Sequence, residues 1–396
     1  MSFADHLFAG VFDLPWWGLV IVALALTHVT IASVTIYLHR CQAHRALDLH
    51  PVVAHFFRFW LWLTTGQVTK EWAAVHRKHH ARCETPEDPH SPQQVGINRV
   101  LWGGVFLYVR ESRNKDTLER YGHGTPDDWA ERNLYSRFTL LGLILMALAD
   151  IVLFGFFPGV LVYLVQLVWI PFWAAGVING IGHFWGYRSW DTPDASRNIV
   201  PLGILIGGEE LHNNHHAYAT SAKLSSKWYE IDVGWLYIRA LQVLGLAEVK
   251  KLAPKPRLAA AKSAVDFETL QAVIANRYDV LARYAKSLRK TYVEELGKLK
   301  RFAPQDAALL RRIRRWLSRD ERRLPEPERA RLAEILAKSK ALETAYAMRR
   351  ELAALWERSS ASREQLVGQL QDWCHRAEAS GIAPLRDFSI RLRSYA

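Results

Sequence analysis

Three clusters of histidine, His39 with His44, His76 with His79 and His80, and His212 with His215 and His216, stand far apart in the chain. Any fold it adopts has to account for all three. Imidazole suits iron, zinc and copper alike, and the spacings are ligand spacings: on a helix His212 and His216 share a face with His215 beside them, so their ring nitrogens can converge on one cation. One such cluster alone is also what a polar surface segment contains. What constrains the fold is the text between the clusters, which is apolar enough in places to cross a bilayer.

Pro15 to Leu38 is broken only by small hydroxyl residues and His28, and it meets the roughly 20 residues a spanning helix needs. Phe138 to Phe157 and Val160 to His183 read as a membrane hairpin turned at Pro158-Gly159. Val52 to Val68 raises the question of another crossing. A full crossing there would put His39 and His76 on opposite faces, so this segment is expected to be re-entrant or interfacial. With it excluded, all the clusters reach one side, together with Arg40, Arg45, Lys70, Arg77, Lys78 and Arg82, as the cytoplasmic side requires. Most of the 16 Trp, 16 Phe and 14 Tyr precede Trp235, where rings suit a membrane interface. The amphipathic stretch Asn98 to Arg110 reads as interfacial.

From Lys250 onward Ala, Leu, Glu, Lys and Arg dominate and no run is long enough to span. Ala264 to Arg301 and Pro327 to Glu357 read as soluble helices. The expected division is therefore a membrane domain over residues 1–249 and a basic soluble helical extension over residues 250–396. A formal charge of +12 suits nucleic acid, anionic lipid or an acidic partner; Arg311-Arg312 and Arg314-Arg315 are of the kind that meets phosphates. The ending, Trp373-Cys374-His375 through Leu385-Arg386-Asp387-Phe388, is similar to helical segments of some bacterial transposases. Composition of this kind is shared by many basic helices, and nucleic acid is not the expected partner. Cys41, Cys83 and Cys374 form no CxxC pair, which fits a reducing compartment.

The candidate ligands are then His39, His44, His76, His79, His80, His183, His212, His215 and His216, with Asn179 beside them. That is too many for one four-coordinate zinc and suits two metals with positions left for water or dioxygen. His6, His28, His50, His55, His90, His123 and His375 lie outside the clusters and read as surface or structural.

The ordered set His39-Arg40-x-x-x-His44-Arg45, His76-Arg77-Lys78-His79-His80 and His212-Asn213-Asn214-His215-His216 resembles the membrane fatty acyl desaturases, specifically the acyl-CoA delta-9 type in its bacterial branch. Glu71-Trp72, Glu84-Thr85, Asp88-Pro89-His90-Ser91-Pro92 and Asn179 to Arg188 extend the resemblance, which covers about Pro15 to Leu246. It implies an all-α integral membrane fold with a cytoplasmic di-metal cap. It also implies two iron ions on the nine histidines, Asn179 holding a water, and dioxygen as co-substrate. A cis double bond, at carbon nine, would be introduced into a saturated acyl chain, with two electrons from a separate donor protein such as a ferredoxin, a reductase or a cytochrome b5-like protein. Breaking an unactivated C–H bond itself requires an oxidant that side chains do not provide.

The resemblance places the protein in a bacterial inner membrane with its active site and C-terminus in the cytoplasm. Carboxylates orienting the imidazoles are expected among Glu71, Glu84, Asp88, Glu209 and Glu210. Ala74-Val75 stand where animal members carry an Arg-Asp pair near CoA, which leaves the carrier open between acyl-CoA and a lipid-linked chain. The alternatives are a related di-iron lipid or alkane hydroxylase, and a non-catalytic anchor presenting the basic tail.

Overall fold

A computed structural model describes residues 5–302, 307–317, 324–356 and 361–396. The chain is mainly helical and divides into two compact units at Ala253/Pro254.

In the first unit, α1 (Trp16–Ser33) continues without a break into a π-helical segment, Val34–Ala43. Together they form a rod of 28 residues, and Phe156–Ile181 forms a second of 26 residues; both are long and apolar enough to cross a bilayer. Between them come α2 (Pro51–Thr65), α3 (Thr69–Arg82), α4 (Ile97–Ser112) and α5 (Thr139–Phe154). The second rod is α6 (Phe156–Ile170) followed by a π-helical segment, Pro171–Ile181. At 15 residues α2 is shorter than a spanning helix requires, as is α5 at 16; α2 also carries Arg58, held by Asp128 and Glu131. It starts on His50, whose ring accepts from the Val52 amide, and ends on Gly66 in the left-handed region.

The hairpin between α5 and α6 turns at Gly155, not at Pro158-Gly159. Gly155 has φ +90°, a conformation that favours glycine, and a Cβ there would come within 2.8 Å of the Ala9 amide nitrogen. Pro158 falls instead in the first turn of α6, where its missing N–H costs nothing. Gly155→Ala is expected to lower stability by about 1–3 kcal/mol, read as a fall in the thermal unfolding midpoint in detergent. An unchanged midpoint would mean that the turn has another conformation.

The rest of the unit holds the second rod and the loops beyond it in place. α4 lies against the π-helical end of the second rod through two glycines: a Cβ on Gly104 would meet the Ala175 carbonyl at 2.2 Å, and one on Gly176 the Leu101 carbonyl at 2.3 Å. α4 also exposes Trp102, whose ring lies beside Phe172 of the second rod, and Phe106. Two short strand pairs close the loops: β1 (Leu47–Leu49) with β4 (Ala247–Val249), antiparallel, and β2 (Leu202–Gly203) with β3 (Ile231–Asp232), parallel. α7 (His212–Ala217) and α8 (Val233–Val243) complete the unit.

The second unit has its own core, in which Tyr284, Trp373 and Phe388 meet edge to face at centroid distances of 5.1–6.2 Å. The polar ends of two of these rings are satisfied inside it, Trp373 Nε1 donating to Met348 O and Tyr284 Oη to Ala345 O. Neither long helix expected here is continuous. The first divides into α9 (Phe267–Ala275) and α10 (Arg277–Phe302). α11 (Ala307–Trp316) follows, and the other long helix divides into α12 (Glu326–Leu336) and α13 (Lys340–Ala354) at Ser339, whose hydroxyl caps the Leu342 amide. Glu357 lies outside the described residues. α14 (Arg363–Ala379) and α15 (Ala383–Leu392) end the chain.

Candidate metal centre

An α-helix rotates by about 140° over five residues, which would turn His39 and His44 to different faces. The π-helical stretch removes that mismatch: the His44 amide donates to the His39 carbonyl, five residues back, at 3.1 Å, and both rings lie on one side with centroids 4.9 Å apart. A second π-helical stretch carries Asn179 and leads into His183. π-helical turns are rare and concentrate at functional sites.

Nine imidazoles gather in two groups. In the first, the Nε2 atoms run His39 to His215 at 3.0 Å, His215 to His80 at 2.8 Å, His80 to His76 at 3.1 Å and His76 to His44 at 2.8 Å. In the second, His183 Nε2 meets His79 Nε2 at 3.2 Å and His212 Nε2 at 3.0 Å. His216 stands beside them, its centroid 4.7 Å from that of His183 and its Nε2 buried without a hydrogen-bond partner. The helices deal their histidines to both groups: α3 sends His76 and His80 to the first and His79 to the second, while α7 sends His215 to the first and His212 and His216 to the second. The expectation that the third cluster converges on a single cation is therefore corrected.

These contacts are not a hydrogen-bonded network. A ring nitrogen carries either one proton or one lone pair, yet the Nε2 atoms of His215, His80, His76 and His183 each meet two others. Nitrogens bound at about 2.0–2.1 Å to one cation and at right angles to each other lie about 2.9 Å apart, the spacing seen here. Burial, reinforced by the neighbouring imidazoles, pushes His44, His76, His80, His212 and His215 well below the usual histidine range and His216 to about 4. The rings are thus neutral, as ligands must be. The donor set fits a pair of transition metals.

Carboxylates hold the outer nitrogens. His39 Nδ1 lies 2.7 Å from Glu209, His79 Nδ1 2.9 Å from Asp88, His183 Nδ1 3.3 Å from Glu84 and His216 Nδ1 3.0 Å from Asp194. Burial alone would raise these acids, but the adjoining imidazoles keep Asp88, Asp194 and Glu209 below the usual carboxylate range. Glu84 adopts φ +62°, unusual for a residue with a side chain. Of the five expected carboxylates, Glu71 and Glu210 hold no histidine. Glu210 accepts from the Ile206 and Gly208 amides, and Glu71 lies beside Ser112 and Arg113.

Asp194 was not anticipated, because nothing in the spacing of a polar loop marks one carboxylate above its neighbours. His90, read from sequence as surface or structural, is buried and stacks on His79 with centroids 4.4 Å apart. Cys83 lies within 4.8 Å of ligand atoms of His79, His183 and His216. Asp194→Asn is expected to weaken metal retention about 10–100-fold, measured by competition with a chelator. Unchanged retention would remove Asp194 from any role in orienting His216.

A cavity of about 530 Å³ is lined by His39, His76, His90, His212 and Asn179, by Trp72, Leu140, Leu167, Ile170 and Ala174, and by Glu71, Ser112 and Arg113. Trp72 stacks on His76 at 4.9 Å. The site can therefore hold a mainly apolar chain against the imidazole groups.

A family model described as fatty acid desaturase matches residues 14–243, the stretch that holds every one of these histidines. The chain belongs to the fatty acid desaturase family. Among its desaturase relatives, the delta-9 acyl-lipid desaturase 1 of Arabidopsis thaliana is 32% identical over 247 residues, 60% of this chain and 76% of the relative. The sn-1 stearoyl-lipid 9-desaturase of Synechocystis is 32% identical over 233 residues, 57% and 70% of the two chains. The icosanoyl-CoA 5-desaturase of Limnanthes douglasii is 33% identical over 226 residues, 56% and 62%. Desaturases of this family are membrane-associated oxidoreductases, generally di-iron dependent, that take an acyl substrate and an electron donor. A second family model, described as transposase, matches residues 262–396. Among the described residues, no group of three or more potential metal ligands lies in that stretch.

Proposed function

We propose that this desaturase introduces a cis double bond at carbon nine of a saturated acyl chain, using dioxygen and two electrons from a separate donor protein. The observation that carries the reading is the pair of imidazole groups, whose ring nitrogens meet more neighbours than one proton or one lone pair can serve, in the wall of a mainly apolar cavity. His39, His44, His76, His80 and His215 would hold one iron and His79, His183, His212 and His216 the other, with Asn179 presenting a water. When bound, the iron pair supplies the oxidising power to remove hydrogen from two adjacent methylenes. The chain's own contribution is positional. Trp72, Leu140, Leu167 and Ile170 exclude water and fix which carbons lie at the centre, and Glu84, Asp88, Asp194 and Glu209 hold the imidazoles in one tautomer.

The expected carrier is CoA. A lipid-linked chain is the second reading, favoured by the burial of Ala74 and Val75 at 0% and 2% exposure, which leaves no charged group there to meet CoA, and by the names of the acyl-lipid relatives. Within the membrane, α1 and the hairpin of α5 and α6 would cross, α2 would stay re-entrant or interfacial, and the site and the C-terminus would face the cytoplasm of a bacterial inner membrane. The contact between His44 and His76 across α2 supports this path. Cysteine-accessibility mapping that puts residues 39 and 76 on opposite faces would refute it.

Expression in cells lacking their own desaturase, with fatty-acid profiling, tests the function. New monoenes with the double bond at carbon nine are expected, first in the acyl-CoA pool. Appearance first in intact glycerolipid selects the second carrier. Hydroxylated chains in place of monoenes would assign the scaffold to a hydroxylase, and no new product with iron and donor supplied would refute catalysis.

A further inference from the structure

Charge is divided unevenly along this chain. Residues 1–253 carry 21 basic and 21 acidic side chains, whereas residues 254–396 carry 30 basic and 18 acidic. The whole excess of +12 therefore belongs to the second unit. Most of it is concentrated further: α10 and α11, which pack on each other, hold 12 basic residues against 3 acidic ones.

The arrangement on these helices is regular. Tyr284, Leu288 and Leu296 of α10 are buried in the core, while Lys286, Arg289, Lys290, Val293, Gly297 and Lys300 are exposed at i, i+3, i+4, i+7, i+11 and i+14. That spacing places them in one stripe about 21 Å long. On α11, Leu310, Ile313 and Trp316 are buried and Arg311 and Arg314 exposed. Among the described residues Lys286, Arg289, Lys300, Arg311 and Arg314 make no ion pair, whereas Lys290 and Arg312 lie against Glu294 and Glu328. A fold gains nothing from unpaired like charges in a row, so the stripe suits an extended polyanion.

The tether selects which polyanion. The Ala253 amide is bonded to Ser221 in the first unit, and the Arg257 carbonyl to the Ala396 amide in the second, so Pro254-Lys255-Pro256 alone separate the two attachments. The first unit belongs to a membrane-associated family. Lipid headgroups are thus held at high effective concentration, while any soluble polyanion must be recruited. We propose that the basic face of α10 and α11 docks on anionic phospholipid headgroups of the bilayer that holds the desaturase unit.

The test uses the full chain in nanodiscs of phosphatidylcholine alone or with phosphatidylglycerol added, read by the acetylation rate of individual lysines. Lys286 and Lys300 are expected to react about fivefold or more slowly on the anionic discs, while Lys340, exposed elsewhere in the same unit, keeps its rate. The protection should disappear at high salt, where screening acts over only a few ångströms, and in the Arg311→Glu/Arg314→Glu variant. An unchanged acetylation rate of Lys340 and an unchanged near-ultraviolet circular dichroism signal from the buried Trp316 and Trp373 show that the second unit of that variant is folded. Equal rates for Lys286 and Lys300 on the two kinds of disc overturn the proposal. So does protection by an added DNA duplex with none from phosphatidylglycerol, which would assign the face to nucleic acid.

Discussion

Replacing His215 by alanine is expected to reduce desaturation to below about a thousandth of wild type, a loss of about 4 kcal/mol of transition-state stabilisation, and to lower bound iron. The reason lies in the position of its Nε2, between His39 at 3.0 Å and His80 at 2.8 Å. Without it His39 loses its nitrogen contact to the rest of the first group, and His80 keeps only His76. His216→Ala should act on the other group, so the two variants should lose iron from different positions. Iron analysis with a spectroscopic signature of the coupled pair separates this from simple unfolding. His123→Gln is the control: His123 is exposed and its Nδ1 meets the Arg120 carbonyl at 3.3 Å, away from both imidazole groups. If His215→Ala kept full iron and full activity, the first group would not be a metal site.

The contrast between His215 and its neighbours also shows where sequence reading stops. Eight of the nine histidines stand out in the chain because clustered imidazoles outside an apolar core have few other uses, and His183 because it lies one helical turn from Asn179 at the end of an apolar run; the structure brings all nine together. Spacing alone put His212, His215 and His216 on one cation, because helical periodicity says which side of a helix a residue faces and not what approaches that side. His215 meets the end of the first rod and His216 the loop carrying Asp194, contacts between segments 176 and 22 residues apart. The π-helical stretch was hidden for a similar reason. Nothing in Val34–Ala43 opposes an α-helix locally, and the wider turn keeps His39 and His44 on one side. His90 lacked a cluster of its own, so only burial against His79 distinguishes it.

In the membrane hairpin, Pro158-Gly159 was the stronger local turn signal. The close approach of Gly155 to Ala9 and of Gly159 to the Asp150 carbonyl moved the turn forward. The breaks at Asn276 and Ser339 have the same character, since helix-forming composition continues through both and the packing of the second unit decides.

Arg40, next to His39, has the largest expected effect on stability. Its side chain is 1% exposed, and its guanidinium makes paired contacts to Asp232 at 2.8 and 3.1 Å while donating to the Gly207 carbonyl at 2.8 Å and the Ala222 carbonyl at 2.9 Å. Asp232 also accepts from the Leu224 and Trp235 amides. One planar cation thus ties the end of the first rod to the loop before α7, the loop after it and the start of α8. Arg40→Ala leaves Asp232 buried without its counter-charge and takes one donor from each of the Gly207 and Ala222 carbonyls, and is expected to cost about 3–5 kcal/mol. Arg40→Lys should recover little of this, because a point charge on a flexible stem cannot serve three acceptors in a plane. The double variant Arg40→Met/Asp232→Leu should recover only part of the stability, since an apolar pair removes the stranded charge but leaves the Leu224 and Trp235 amides without this acceptor, and should not recover full iron retention if the fork also fixes the backbone at His39. Unfolding midpoints and iron content of the three variants decide the matter. An Arg40→Ala protein as stable as wild type would mean that water reaches this pair, and that the loops around the third histidine cluster are held by other contacts.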